Sequence, residues 1–74
     1  MSLARVRSAT RCRITAIRGG HRIPYRLMEM GLVEGAQVEV VRRAPLGDPL
    51  QVRLGDYELA LRESDAELID VTEI

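Results

Sequence analysis

The chain contains no phenylalanine, no tryptophan and no lysine, and it has one cysteine, one histidine and two tyrosines among 74 residues. Each absence removes a class of function. Without lysine there is no Schiff-base or general-base amine. Only Tyr25 and Tyr57 could stack on bases or line a polyproline groove. Single-strand binding and SH3-type peptide recognition both lean on several aromatics, so no nucleic-acid partner is expected. A lone Cys12 cannot form an internal disulfide and fits a reducing cytosol. His21 and Cys12 offer too little for a dyad oriented by a third group, and a tight metal cage needs more converging ligands. Gly19-Gly20 lacks the Lys-Ser/Thr that would make it a phosphate loop. An enzyme is therefore not expected. No apolar run exceeds three residues, which argues against membrane insertion, and Met1-Ser2-Leu3 leads into arginines rather than a secretory h-region.

What is present describes one small domain over residues 1–74, of a size that buries only about 60% of its unfolded surface. The formal net charge is zero but unevenly distributed. Residues 1–26 hold seven arginines and no acid, and residues 27–74 hold four arginines and all eleven acids. Either the two halves interleave into a mixed surface, or the basic part forms a face for an acidic partner. Arg11 to Ile17 alternates, with Cys12, Ile14 and Ala16 on one face, and reads as a half-buried strand stopped by Gly19-Gly20. Pro24 suits the first position of a helix near residues 24–30. Ile23, Leu27 and Met30 then face the core, and Tyr25, Met28 and Glu29 face outward. Gly31 and Leu32 supply a Schellman stop.

After Gly35, Val38 and Val40 point inward along a second strand. Leu50, Val52 and Leu54 make a third, and Gly55-Asp56 turns it into a fourth through Leu59 and Leu61. Ser64-Asp65-Ala66-Glu67 has the form of a capping box and predicts a helical turn near 64–67, followed by a closing strand over Leu68 to Val71. The expected architecture is a mainly β, partly closed antiparallel barrel of about five strands with two small helices.

Several motifs fall in a fixed order: Leu3, Arg26-Leu27-Met28-Glu29-Met30-Gly31-Leu32-Val33-Glu34-Gly35, Val38 to Val40, Arg42-Arg43-Ala44-Pro45-Leu46-Gly47-Asp48-Pro49, Leu59 to Arg62, Ala66, and Ile69 to Val71. In order and spacing this resembles the FeoA-like domain family of bacterial ferrous iron uptake, which is related to the SH3-like domain fused to metal-dependent repressors. One departure is visible: the family usually carries Pro-Gly before its first long strand, where this chain has Ser8-Ala9.

The resemblance implies an SH3-like barrel and a cytoplasmic accessory protein of iron transport. It would act by contact with the cytosolic GTPase part of a membrane ferrous iron transporter. The alternative it implies is a metal-binding or regulatory domain akin to that of the repressors. No cofactor and no dedicated metal site are expected; weak binding of a transition metal, Fe or Zn, and self-association stay open. The candidate partner-binding residues are Arg26, Met28 and Glu29 on the helix, with Leu46, Gly47 and Asp48 at the proline-flanked turn. Leu46 either folds back onto the core or offers a contact.

Overall fold

Alternation of apolar and polar side chains decides the sheet, and glycines decide where each strand stops. The computed structural model covers the chain and describes every residue except 21–24. A 3-10 turn, Leu3–Arg5, precedes β1 (Thr10–Ile17), and α1 (Tyr25–Glu29) follows it. The remainder is β2 (Gln37–Arg43), β3 (Leu50–Leu54), β4 (Tyr57–Leu61), α2 (Glu63–Ala66) and β5 (Ile69–Glu73). All pairings are antiparallel in the order β4-β3-β2-β1-β5. The two outermost strands are not paired with each other, so the barrel is partly closed.

The inward residues expected of β1, β2 and β3 form the core: Cys12, Ile14, Val38, Val40, Leu50 and Val52 are all buried. Leu3, Leu27, Leu32, Leu61, Ile69 and Val71 join them from the turn, the helix stop and the last strands. The alternation fails at one place in β1. Its register against β5 shifts between Ile14 and Ala16, so Ile17, not Ala16, packs on the core opposite Ile69. A second shift lies between Val40 and Arg42 of β2. Both are bulges, which bend and twist a sheet so that it can curl over itself.

Met30 was expected on the core face, but it is 37% exposed. The helix ends at Glu29, and Met30 is already in the stop, where it no longer follows the helical face of Leu27. The expected inward position of Ile23 and the start of the helix at Pro24 lie outside the described residues. The capping box is also corrected. α2 begins at Glu63 with Arg62 as N-cap and no side-chain cap of its own, so Ser64 lies inside the helix. Its first N–H, that of Glu63, instead donates to Asp48 Oδ1 at 3.0 Å, a carboxylate brought over from the β2–β3 turn. Arg43 pins the start of the chain: its guanidinium donates to the Val6 carbonyl (2.9 Å) and to that of Ala4.

Candidate docking face

The stop of α1 builds the site. The Leu32 N–H donates to the Leu27 carbonyl (3.1 Å) and the Gly31 N–H to that of Met28 (3.1 Å), the two bonds of a Schellman motif. Gly31 holds φ +107°, a conformation that side chains resist. A Cβ built there would lie 3.5 Å from Tyr57 Oη and 3.6 Å from Leu54 Cδ2, so the stop lies against the β3–β4 hairpin. Leu27 and Leu32 are spent on the core, and the side chains between and beyond them are left outside. Met28, Met30, Val33 and Tyr57 are all exposed, with Tyr25 at the start of the helix. A groove of about 470 Å³ opens between Met28, Val33 and Glu34 on one side and Ala16, Ile17 and Gly20 on the other. The β1 bulge contributes to it by leaving Ala16 out of the core.

The second set of candidates lies elsewhere. Between β2 and β3, the Gly47 N–H donates to the Ala44 carbonyl (2.7 Å), and the Ala44 N–H donates to that of Pro49 (3.0 Å). Gly47 takes φ +88° here. Leu46 is 96% exposed, which decides between its two readings: it does not fold back. α1 lies in the connection entering β2 and this turn follows the end of β2, so seven residues of strand, about 20 Å, separate them. The structure therefore brings Arg26, Met28 and Glu29 together at one end and Leu46, Gly47 and Asp48 at the other. Asp48 also has an internal task as the acceptor for α2. Val33, Tyr57 and Ala16 were not among the sequence candidates. Val33 could have been found, because it directly follows the apolar residue that completes the stop.

No three His, Cys, Asp or Glu side chains converge on one point among the described residues, and His21 lies outside them. Cys12 is buried. Burial pushes its thiol pKa up, and the Glu73 carboxylate opposite it in the sheet adds to the shift. Both effects disfavour the thiolate that would bind a metal.

The outer face of the sheet is ionic. Arg53 bridges Glu58 (2.7 Å) and Glu39 (3.3 Å), and Gln51 links Arg42 (2.8 Å) to Glu58. The Arg53 hydrogen bond holds the Glu58 carboxyl below its usual range. At the other side Arg18 pairs with Asp70 (3.1 Å).

Comparison with known proteins now adds a lineage. Residues 1–73 match the FeoA domain family. The Fe(2+) transport protein A/Fe(2+) transporter FeoB fusion protein of Porphyromonas gingivalis is 37% identical over 96% of this chain, which spans 8% of that protein's length. The FeoA protein of Chlorobium tepidum is 36% identical, covering 100% of this chain and 70% of that one with a TM-score of 0.91. FeoA of Stenotrophomonas maltophilia, solved with zinc and described as an SH3 domain protein, is 32% identical over 97% and 89% of the two chains, with a TM-score of 0.82. The metal-dependent transcriptional regulator MtsR shares the fold alone, at 19% identity and a TM-score of 0.84 over 100% of this chain and 34% of its own. A match over residues 1–73, and 36–37% identity to relatives across 96–100% of this chain, settle the lineage: the chain belongs to the FeoA domain family.

Proposed function

We propose that this domain is an accessory of ferrous iron uptake, docking in the cytoplasm on the GTP-hydrolysing part of the membrane transporter. The observation that carries the reading is the P. gingivalis relative, in which a region similar to nearly all of this chain is joined to an Fe(2+) transporter in one polypeptide. Such a fusion supplies a partner at high effective concentration. The contact surface in this reading is the groove at the α1 stop, with Met28 as its apolar anchor, Val33 beside it, and Arg26 and Glu29 on its rim. Interface energy concentrates in a few such anchors. The domain acts by binding one transporter conformation better than another, since equal affinity for both would shift nothing. Catalysis belongs to the partner. In cells that depend on this transporter, Met28→Glu should abolish iron uptake while the melting temperature of the isolated domain stays within about 2 °C of the parent, a shift of under about 0.5 kcal/mol. Normal uptake by a folded Met28→Glu variant would remove the groove from the reading.

Any metal binding by the domain is weak in this account. The zinc in the S. maltophilia FeoA structure belongs to that protein. Here the described ligands do not converge and Cys12 is held as a buried thiol. Calorimetry of the reduced protein with Zn(II) should show a Kd no tighter than about 10 µM, about −7 kcal/mol. A tight one-to-one site lost on Cys12→Ser or His21→Ala would overturn that expectation.

A further inference from the structure

The two edges of the sheet differ. β5 is covered on its outer side, where Ser2 bridges to Asp70 and the Val71 N–H donates to the Met1 carbonyl at 2.8 Å. β4 is not. Its two-residue hairpin closes on the Leu54–Tyr57 pair, so Tyr57, Leu59 and Leu61 turn their backbone polar groups toward β3. Glu58 and Ala60 therefore turn theirs away from the sheet, and no loop or turn among the described residues bonds to them. Edge strands are commonly blunted by a proline, a bulge or a lysine. Tyr57-Glu58-Leu59-Ala60-Leu61 has none of these and pairs with β3 in unbroken register.

Charge indicates what this edge accepts. The register places Arg11, Glu39, Arg53 and Glu58 in one row across four strands, alternating in sign. The row stops at the open edge on a carboxylate. Arg62, the next outward position after Ala60, is exposed and extended (φ −65°, ψ 143°), with no ion pair among the described residues.

We propose that β4 pairs antiparallel with β4 of a second copy of this chain, about a two-fold axis at Ala60. With Ala60 opposite Ala60, two steps along each strand bring Glu58 of one copy opposite the partner copy's Arg62. The symmetry makes this pair twice. The row of alternating charge then continues from Arg11, Glu39, Arg53 and Glu58 into the second subunit. The Ala60 N–H groups exchange bonds with the opposing Ala60 carbonyls, and each Arg62 N–H reaches the opposing Glu58 carbonyl. The Arg62 carbonyl already accepts from the Asp65 and Ala66 N–H groups at 3.0 Å, so the ladder ends there. On the inner face half-buried Leu59 comes opposite the partner copy's Leu61, extending the apolar layer. The small Ala60 side chains let the strands approach at the axis. The interface is isologous and closes at two copies. Strands this short bury an area in the weak class, below about 1,200 Å² in total, so the dimer forms at high concentration.

This inference is independent of the groove at α1, and its test reads mass rather than transport. Sedimentation equilibrium of the wild-type domain at low salt, up to about 1 mM, the weak end of specific association, should show the mass rising toward twice the 8.3 kDa of one chain. Arg62→Glu sets like charges against each other, and Ala60→Pro removes the central donor without touching a bond inside the protomer. Each should remain monomeric at the same concentration with an unchanged circular dichroism spectrum. An equimolar mixture of Arg62→Glu and Glu58→Arg should recover the dimer, because each mutant copy then meets opposite charge at both pairs. A wild type that stays monomeric throughout, or a folded Arg62→Glu or Ala60→Pro that still dimerises, would refute the proposal. So would a folded mixture that fails to recover, as expected if Asp56, rather than Glu58, faced Arg62. If Glu58→Arg does not fold, the two other variants decide.

Discussion

Ala9 is the only described non-glycine residue with positive φ, at +64°. It sits in the turn before β1, its N–H bonded to the Val40 carbonyl (2.6 Å), which fixes the strained geometry at the sheet's margin. A side chain in this left-handed region costs about 1–2 kcal/mol, and a glycine there gives back about 0.5–1 kcal/mol through its looser unfolded state. Ala9→Gly should therefore stabilise the domain by about 0.5–1 kcal/mol and raise the melting temperature by about 2–8 °C. A scan showing no rise would mean the turn relaxes around alanine. The sequence marked this spot only as Ser8-Ala9 standing where the family usually has Pro-Gly. Composition cannot show that the alanine keeps the glycine conformation, because the hydrogen bond enforcing it comes from a strand thirty residues away.

At the level of elements, local signals were readable and remote ones were not. The Schellman stop at Gly31, the strand alternation in β2 and β3 and the Gly55-Asp56 hairpin all depend on neighbours within a few residues, and each appears as the pattern required. The start of α2 does not. Ser64 had the local form of a cap, yet Asp48, from the β2–β3 turn 15 residues earlier in the chain, takes the role and moves the helix start to Glu63. The β1 bulge was hidden for a similar reason: only pairing with β5 shifts Ile17 inward. Asp48→Ala should cost about 0.5–2 kcal/mol, as the loss of a cap does. Leu27→Ala, which opens a cavity under the same helix stop that displays Met28, should cost about 2–5 kcal/mol. Urea titrations measure both. If Asp48→Ala were neutral, water would be satisfying the Glu63 N–H and the remote cap would carry no weight.

For the whole molecule, part of the uneven charge of the sequence is interleaved in space. β1, from the basic part, lies between β2 and β5: Arg11 comes opposite Glu39, Arg13 opposite the uncharged Gln37 and Thr72, and past the strand Arg18 pairs with Asp70. The interleaved reading of the charge holds on these faces. The candidate docking residues, by contrast, were legible one by one but not as a surface. Exposure of Met28 followed from helical spacing, whereas the separation of Leu46 from it follows from strand topology. If Leu46 is a second contact, Leu46→Asp should weaken transporter binding without changing the melting temperature. Its effect should add to that of Met28→Glu within about 0.5 kcal/mol, because the positions are too distant to couple. Binding of the purified domain to the transporter's cytosolic part, measured for both single variants and the double, decides this. Strong non-additivity would mean that one partner element touches both ends.

The placement of β5 has a consequence for biosynthesis. β1 leaves the ribosome before one of its two neighbours, Ile69–Glu73, has been made. Until it is, Ile14 and Ile17 have no Val71 or Ile69 to rest on, and the seat for Met1 and Ser2 does not exist. Native pairing across the barrel must therefore wait until residues 69–73 have left the exit tunnel. A nascent chain stalled before that point should remain open to protease, however long it is held.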